Sequence, residues 1–102
     1  MKKILLCCSA GMSTSLLVKK MIKEADDRGL ELEIVAYPMA EFETEVASCD
    51  VCLLGPQVRY KLNEFKKYAA EHNVEVAAID PMAYGTMNAS KILDSALKMV
   101  AS

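Results

Sequence analysis

The stretch Cys7-Cys8-Ser9-Ala10-Gly11-Met12-Ser13-Thr14-Ser15 gathers most of the reactive chemistry of this chain. It follows the apolar run Ile4-Leu5-Leu6 and precedes an amphipathic helical pattern that begins at Leu16. A strand thus delivers a cysteine to a loop of small polar residues, and a helix starts just beyond. Carrying a phosphoryl group on sulfur requires a thiolate, donors for the phosphate oxygens, and a backbone able to wrap around them. Cys8 placed just before a helix N-terminus meets the first need, because the helix dipole and its unpaired N–H groups favour negative charge and lower a thiol pKa. Main-chain N–H groups from Ser9 to Ser15 and the hydroxyls of Ser9, Ser13, Thr14 and Ser15 meet the second. Ala10 and Gly11 meet the third, being small and, for the glycine, conformationally free. The competing reading is a small buried cysteine at a strand end, followed by a serine-rich helix cap.

The same spacing resembles the phosphate loop of low-molecular-weight tyrosine phosphatases, a cysteine, then five residues, then an arginine. With Cys8 as the cysteine, Thr14 stands where the arginine would be. An arginine there would clamp phosphate bidentately and stabilise its transition state. Its replacement by threonine argues against efficient hydrolysis and for holding a phosphocysteine. No Gly-Lys-Ser/Thr ending is present, so nucleotide hydrolysis is not expected.

Other reactive side chains have plainer readings. Cys7, Cys8, Cys49 and Cys52 all fall on or beside expected strands, where neighbours and residues three apart point to opposite faces. Tetrahedral convergence is awkward from such positions, so we expect no metal site and free thiols. His72, the only histidine, lies at an expected helix end and reads as a surface cap. Asp80, before Pro81, reads as a turn former rather than a general acid. Arg59, Lys61, Lys66 and Lys67 read as a solvated helix face, with an acidic partner as the alternative. Met12 is a candidate contact at the loop tip, and Met39, Met82, Met87 and Met99 read as core filler.

The elements that must position the cysteine follow from periodicity. Lys3 to Cys7 and Val51 to Leu54 are apolar without alternation, as strands buried on both faces of a parallel sheet are. Glu31 to Tyr37 alternates and suits an edge; Val74 to Ile79 is the fourth strand. A first helix is expected from about Thr14 to Arg28, with Leu17, Val18, Met21, Ile22 and Ala25 inward and Gly29 as terminator. Met39, Phe42 and Val46 make a short helical stripe among exposed glutamates. Pro56 opens a helix with Val58, Leu62, Phe65 and Ala69 inward. Asp80 to Gly85 is read as a loop, and Asn88 to Val100 as the last helix. The result is an α/β fold, a single open four-stranded parallel sheet of order 2-1-3-4 with helices on both faces. Ligands bind such sheets at the carboxyl ends of the strands, where connections leave the two central strands in opposite directions. The loop after the first strand belongs there, and Gly55-Pro56-Gln57 sits beside it.

With 102 residues the chain suits a single domain, 1–102. Hydrophobic residues at 53% favour an ordered fold over disorder. No apolar run approaches the roughly 18 residues that span a bilayer, and the apolar start is too short for a signal peptide. We therefore expect a soluble, cytoplasmic protein. A net charge of −2 offers no basic face for nucleic acid.

Cys8-Ser9-Ala10-Gly11-Met12-Ser13-Thr14-Ser15-Leu16-Leu17 resembles the active-site signature of the enzyme IIB components of the phosphoenolpyruvate-dependent sugar phosphotransferase system, lactose/cellobiose/chitobiose family. Leu53-Leu54-Gly55-Pro56-Gln57-Val58 and Ile79-Asp80-Pro81-Met82-Ala83-Tyr84-Gly85 resemble later segments of that family, so the similarity covers essentially the whole chain. The resemblance implies that Cys8 takes a phosphoryl group from the phosphohistidine of a IIA protein. Cys8 then passes it to a sugar, of the β-linked disaccharide type such as cellobiose or chitobiose, held by the IIC membrane permease. It implies no cofactor. Ser9, Ala10, Gly11, Met12, Ser13, Thr14 and Ser15 would cradle the phosphoryl oxygens, and Cys7 would be incidental. Gly55, Pro56, Gln57, Tyr60, Asp80 and Tyr84 would contact partners or support the loop. The alternatives are a phosphatase-like protein and an anion-sensing regulatory module.

Overall fold

Two apolar tetrapeptides set the centre of the sheet. Ile4-Leu5-Leu6-Cys7 and Val51-Cys52-Leu53-Leu54 are buried throughout, and they pair in parallel with Ile4 opposite Val51 and Cys7 opposite Leu54. The computed structural model describes residues 2–8 and 12–101, with the side chains of Cys8, Met12, Ser13, Thr14 and Ala101 outside that description. The strands are β1 (Lys2–Cys8), β2 (Leu32–Pro38), β3 (Val51–Leu54) and β4 (Glu75–Ala78). The helices are α1 (Met12–Asp27), α2 (Phe42–Glu45), α3 (Leu62–Ala70), α4 (Pro81–Gly85) and α5 (Ala89–Ala101). Short 3-10 turns, Met39–Glu41 and Val46–Ser48, flank α2, and a third, Pro56–Lys61, leads into α3.

The sheet is parallel throughout, with order β2-β1-β3-β4, as expected. Right-handed crossovers leaving β1 and β3 in opposite directions put their helices on opposite faces. Strand residues accordingly alternate between two cores. Ile4, Leu6, Ile34, Val51 and Leu53 face α1, α4 and α5; Leu5, Cys7, Cys52, Leu54 and Val76 face α2 and α3. On the second side Phe42 stacks on Phe65, with ring centroids 3.9 Å apart.

Helix α1 ends in a Schellman motif. Gly29, at φ 71°, donates its N–H to the Asp26 carbonyl, and Leu30 donates to that of Ala25. Arg28 then ties α1 to α5, donating to Glu24 at 2.8 Å, to Asp94 at 2.7 Å and to the Ser90 hydroxyl at 2.8 Å. These carboxylates raise the guanidinium pKa, chiefly through the bond to Asp94.

Four expectations need correction. Helix α1 begins at Met12, not near Thr14, because hydroxyl residues sit comfortably in a first turn. The expected loop after β4 is helix α4: Asp80 caps it and Pro81 supplies its first turn. Ile22 is exposed rather than inward, since the buried stripe of α1 runs through Leu17, Met21 and Ala25. Met82 is also exposed, at 75%, because the inward positions of its short helix belong to Ala83 and Tyr84.

Candidate active site

The carboxyl-terminal pole of the sheet collects three chain segments. The first is the junction of β1 and α1. β1 closes with Cys8, and α1 opens at Met12 with its amino end toward the same pole. Ser9, Ala10 and Gly11, expected to cradle phosphate, lie outside the described residues, as do the side chains of Cys8, Met12, Ser13 and Thr14. The backbone of Met12 to Ser15 belongs to the helix and not to a loop. The opening N–H groups of such a helix have no intrahelical partner and sit at its positive end. The amino end of α1 thus presents unpaired N–H donors at this pole.

The second segment follows β3. Gly55 is buried and donates its N–H to the Cys7 carbonyl at 2.8 Å, which fastens this turn to the end of β1. Pro56 opens the 3-10 turn, Val58 is buried beneath it, and Gln57 and Tyr60 are exposed. Gly55 is therefore an interior tie to the end of β1, whereas Gln57 and Tyr60 are exposed.

The third segment follows β4. The Ile79 N–H donates to the Leu54 carbonyl at 2.8 Å, extending the sheet by one bond. The Asp80 carboxylate then accepts from the Ala83 N–H at 3.2 Å and from the Lys91 ammonium at 3.4 Å. The cap bond, first, and the lysine hold the carboxyl below its usual pKa range. Asp80 is the cap of a helix, where a turn former opening a loop was expected. Tyr84 is buried in the core beside α5 and supports the pole from inside. Lys91 escaped the sequence reading. It lies eleven residues from Asp80, in the first turn of α5, and the short link after α4 brings the two together.

The other thiols are sealed away. Cys7 and Cys52 are inaccessible, with their sulfurs 4.0 Å apart, and Cys49 lies in the same core. This overturns the expectation that residues three apart diverge. Cys49 is not on a strand; it closes the turn Val46–Ser48, and its thiol donates to the Val46 carbonyl at 3.1 Å. Burial pushes the Cys49 thiol up to about 11. The Cys52 thiol is raised as well, by its bond to Cys7 and then by burial. Cys49 and Cys52 are therefore protonated at neutral pH, and burial removes all three thiols as accessible nucleophiles. Among the described residues, no group of three or more His, Cys, Asp or Glu is arranged to hold a metal ion. His72 is exposed between α3 and β4, at the opposite pole, with its ring 5.3 Å from that of Tyr68. No described helix is long and apolar enough to cross a membrane.

Comparison with known proteins places this geometry. A family model for the lactose/cellobiose-specific IIB subunit of the phosphotransferase system matches residues 3–95. An oligo-β-mannoside-specific EIIB component of Bacillus subtilis is 43% identical, over 98% of this chain and 97% of its own. A cellobiose-specific EIIB component of Lactococcus lactis is also 43% identical, over 93% of each chain. A galactose-specific one from the same species is 42% identical over the same shares. Among solved structures, the cellobiose-specific IIB component of Borrelia burgdorferi superposes with a TM-score of 0.81 at 33% identity, covering 98% of this chain and 92% of that one. The lactose-specific IIB domain of Streptococcus pneumoniae shares the fold, with a TM-score of 0.87 at 21% identity over 96% of each chain. The chain therefore belongs to the lactose/cellobiose-specific IIB family of the sugar phosphotransferase system.

Proposed function

We propose that Cys8 is the phosphoryl carrier of this IIB protein, working as one domain over residues 1–102 in the cytoplasm. The Cys8 thiolate attacks the phosphorus of a IIA phosphohistidine. The S–P bond forms as the N–P bond breaks, and the imidazole leaves with the bonding pair. A sugar hydroxyl bound in the IIC permease, at the inner face of the membrane, then attacks the phosphorus. The O–P bond forms, the thiolate departs, and the hydroxyl proton passes to a base or to solvent.

Such transfers depend on positioning and charge stabilisation more than on covalent help from the protein. Ser9 to Ser15 cradle the phosphoryl oxygens, with the helix terminus at Met12 to Thr14 contributing N–H donors. Gly55, Pro56, Asp80 and Tyr84 hold the surrounding turns, and Gln57 and Tyr60 face partners. The observation that carries this reading is the handover from β1 to the amino end of α1 within three residues, at the pole where the connections from the two central strands part to opposite faces. The burial of the other three cysteines supports it.

Relatives named for β-mannosides, cellobiose and galactose stand at almost equal identity, so sequence similarity alone does not select the sugar. We assign that choice to the permease and expect a β-linked disaccharide such as cellobiose or chitobiose.

Incubation with phosphorylated IIA, followed by mass spectrometry, tests the reading. A phosphoryl adduct is expected on Cys8 and lost in Cys8→Ser, while Cys7→Ser retains transfer within about twofold of wild type. Normal transfer by Cys8→Ser, or an adduct on His72, would overturn it.

A further inference from the structure

Four large apolar side chains are exposed among the described residues: Leu16 at 49%, Ile22 at 39%, Tyr60 at 74% and Met82 at 75%. Single exposed apolar residues are ordinary, but a cluster marks an interaction surface. Three of these four sit at the carboxyl-terminal pole. Leu16 lies near the start of α1, after β1; Tyr60 lies in the turn after β3; Met82 is the second residue of α4, after β4. The last two segments are pinned beside Cys7 and Leu54 by the bonds from Gly55 and Ile79. The fold has no use for these three side chains, since the inward positions beside them are taken by Leu17, Val58, Ala83 and Tyr84.

Charge distinguishes the two partners that must visit this pole. Lys61 pairs with Glu64 at 3.2 Å, and Lys91 pairs with Asp80 at 3.4 Å. Arg59 is exposed and, among the described residues, makes no ion pair or side-chain hydrogen bond. It adds an uncompensated cation to a pole already bearing the positive end of α1. Cytoplasmic loops of membrane proteins carry an excess of Lys and Arg, which such a cation repels. A soluble partner with carboxylates around an apolar patch fits better.

Building on the carrier reading of Cys8, we propose that Leu16, Tyr60, Met82 and Arg59 form the docking collar for the phosphoryl-donor protein, which meets it with an apolar patch bordered by carboxylates. Tyr60 and Met82 supply apolar anchors on either side of the sheet, and Arg59 steers and orients the approach.

The test measures phosphoryl transfer from phosphorylated IIA to the full chain over a range of donor concentrations. Tyr60→Ala, Met82→Ala and Arg59→Glu should each raise the KM for donor about tenfold, the loss of one interface anchor, with little change in kcat. Ile22→Ala, away from the pole, should keep the wild-type KM. The Arg59→Glu defect should be largely restored by Arg59→Lys, and the wild-type KM should rise with added salt. An unchanged KM in the three variants, with wild type phosphorylated normally on Cys8, overturns the collar and leaves the carrier reading standing. A wild-type chain that takes no phosphoryl group on Cys8 removes both. With the variants already phosphorylated on Cys8, an equal or larger loss in transfer to permease-bound sugar assigns the collar to the permease and also overturns the proposal.

Discussion

At the scale of single residues, the pole is held by groups whose work is structural. Asp80 shows this best. Its folded carboxyl pKa is depressed, first by the Ala83 N–H and then by Lys91. A depressed carboxylate contributes stability above the unfolded pKa and loses it as pH falls through the folded value. Asp80→Ala should therefore lower the urea midpoint at pH 7, with the gap to wild type closing once the pH drops below the carboxylate range. A gap that persists in acid would mean that the side chain acts through packing and not through its charged cap. Much at this scale was legible. The Cys7 thiol points into the core, as its place beside Cys8 on a strand implied, and Asp80 has the local structural role that its place before a proline suggested. What escaped depended on neighbours distant in sequence. Cys49 joins Cys7 and Cys52 in one core because a turn rather than a strand carries it, and the exposure of Met82 depends on which residues of a short helix reach the core.

At the scale of elements, boundaries decide which groups stand at the pole. The helix start at Met12 brings donors closer to Cys8 than a start at Thr14 would, and hydroxyl-rich sequence does not distinguish the two. Asp80-Pro81 is ambiguous in the same way, since it opens a turn or a helix equally well. Five helical residues are too few for periodicity to decide between them. The long elements were clear because their patterns repeat: unbroken apolar runs gave the central strands, and a spacing of three and four gave α1, α3 and α5. The end of α1 was equally legible in Gly29. With φ at 71° and no atom within 4 Å of an added Cβ, Gly29→Ala meets backbone strain but no clash. It should cost about 1 kcal/mol in chemical denaturation, the penalty of a left-handed alanine. A neutral effect would show that the terminal turn relaxes freely.

At the scale of the whole molecule, one sheet serves two cores, and their independence can be measured. Phe42 is almost wholly buried on the α2 and α3 side, stacked on Phe65 and edge-on to Tyr68 at 5.9 Å. Phe42→Ala should cost about 3–5 kcal/mol, against a total of roughly 5–15 for a chain of this size. Because both cores share the same strands, unfolding should remain a single transition with coincident fluorescence and circular dichroism midpoints. Separate midpoints would mean that the α1 and α5 side survives alone.

The position of β1 has a further consequence during synthesis. It leaves the ribosome before every strand it pairs with, yet it lies at the centre of the finished sheet between β2 and β3. Its Lys3 N–H closes onto Asp50, 47 residues later, and its Cys7 carbonyl waits for Gly55. Contacts so distant along the chain form late. A nascent chain halted before β3 would carry Cys8 on a strand with one open edge, unable to build the pole around it. With Cys8 as the proposed carrier, competence for transfer arrives all at once, when the middle of the chain emerges, and not gradually from the end where the cysteine lies.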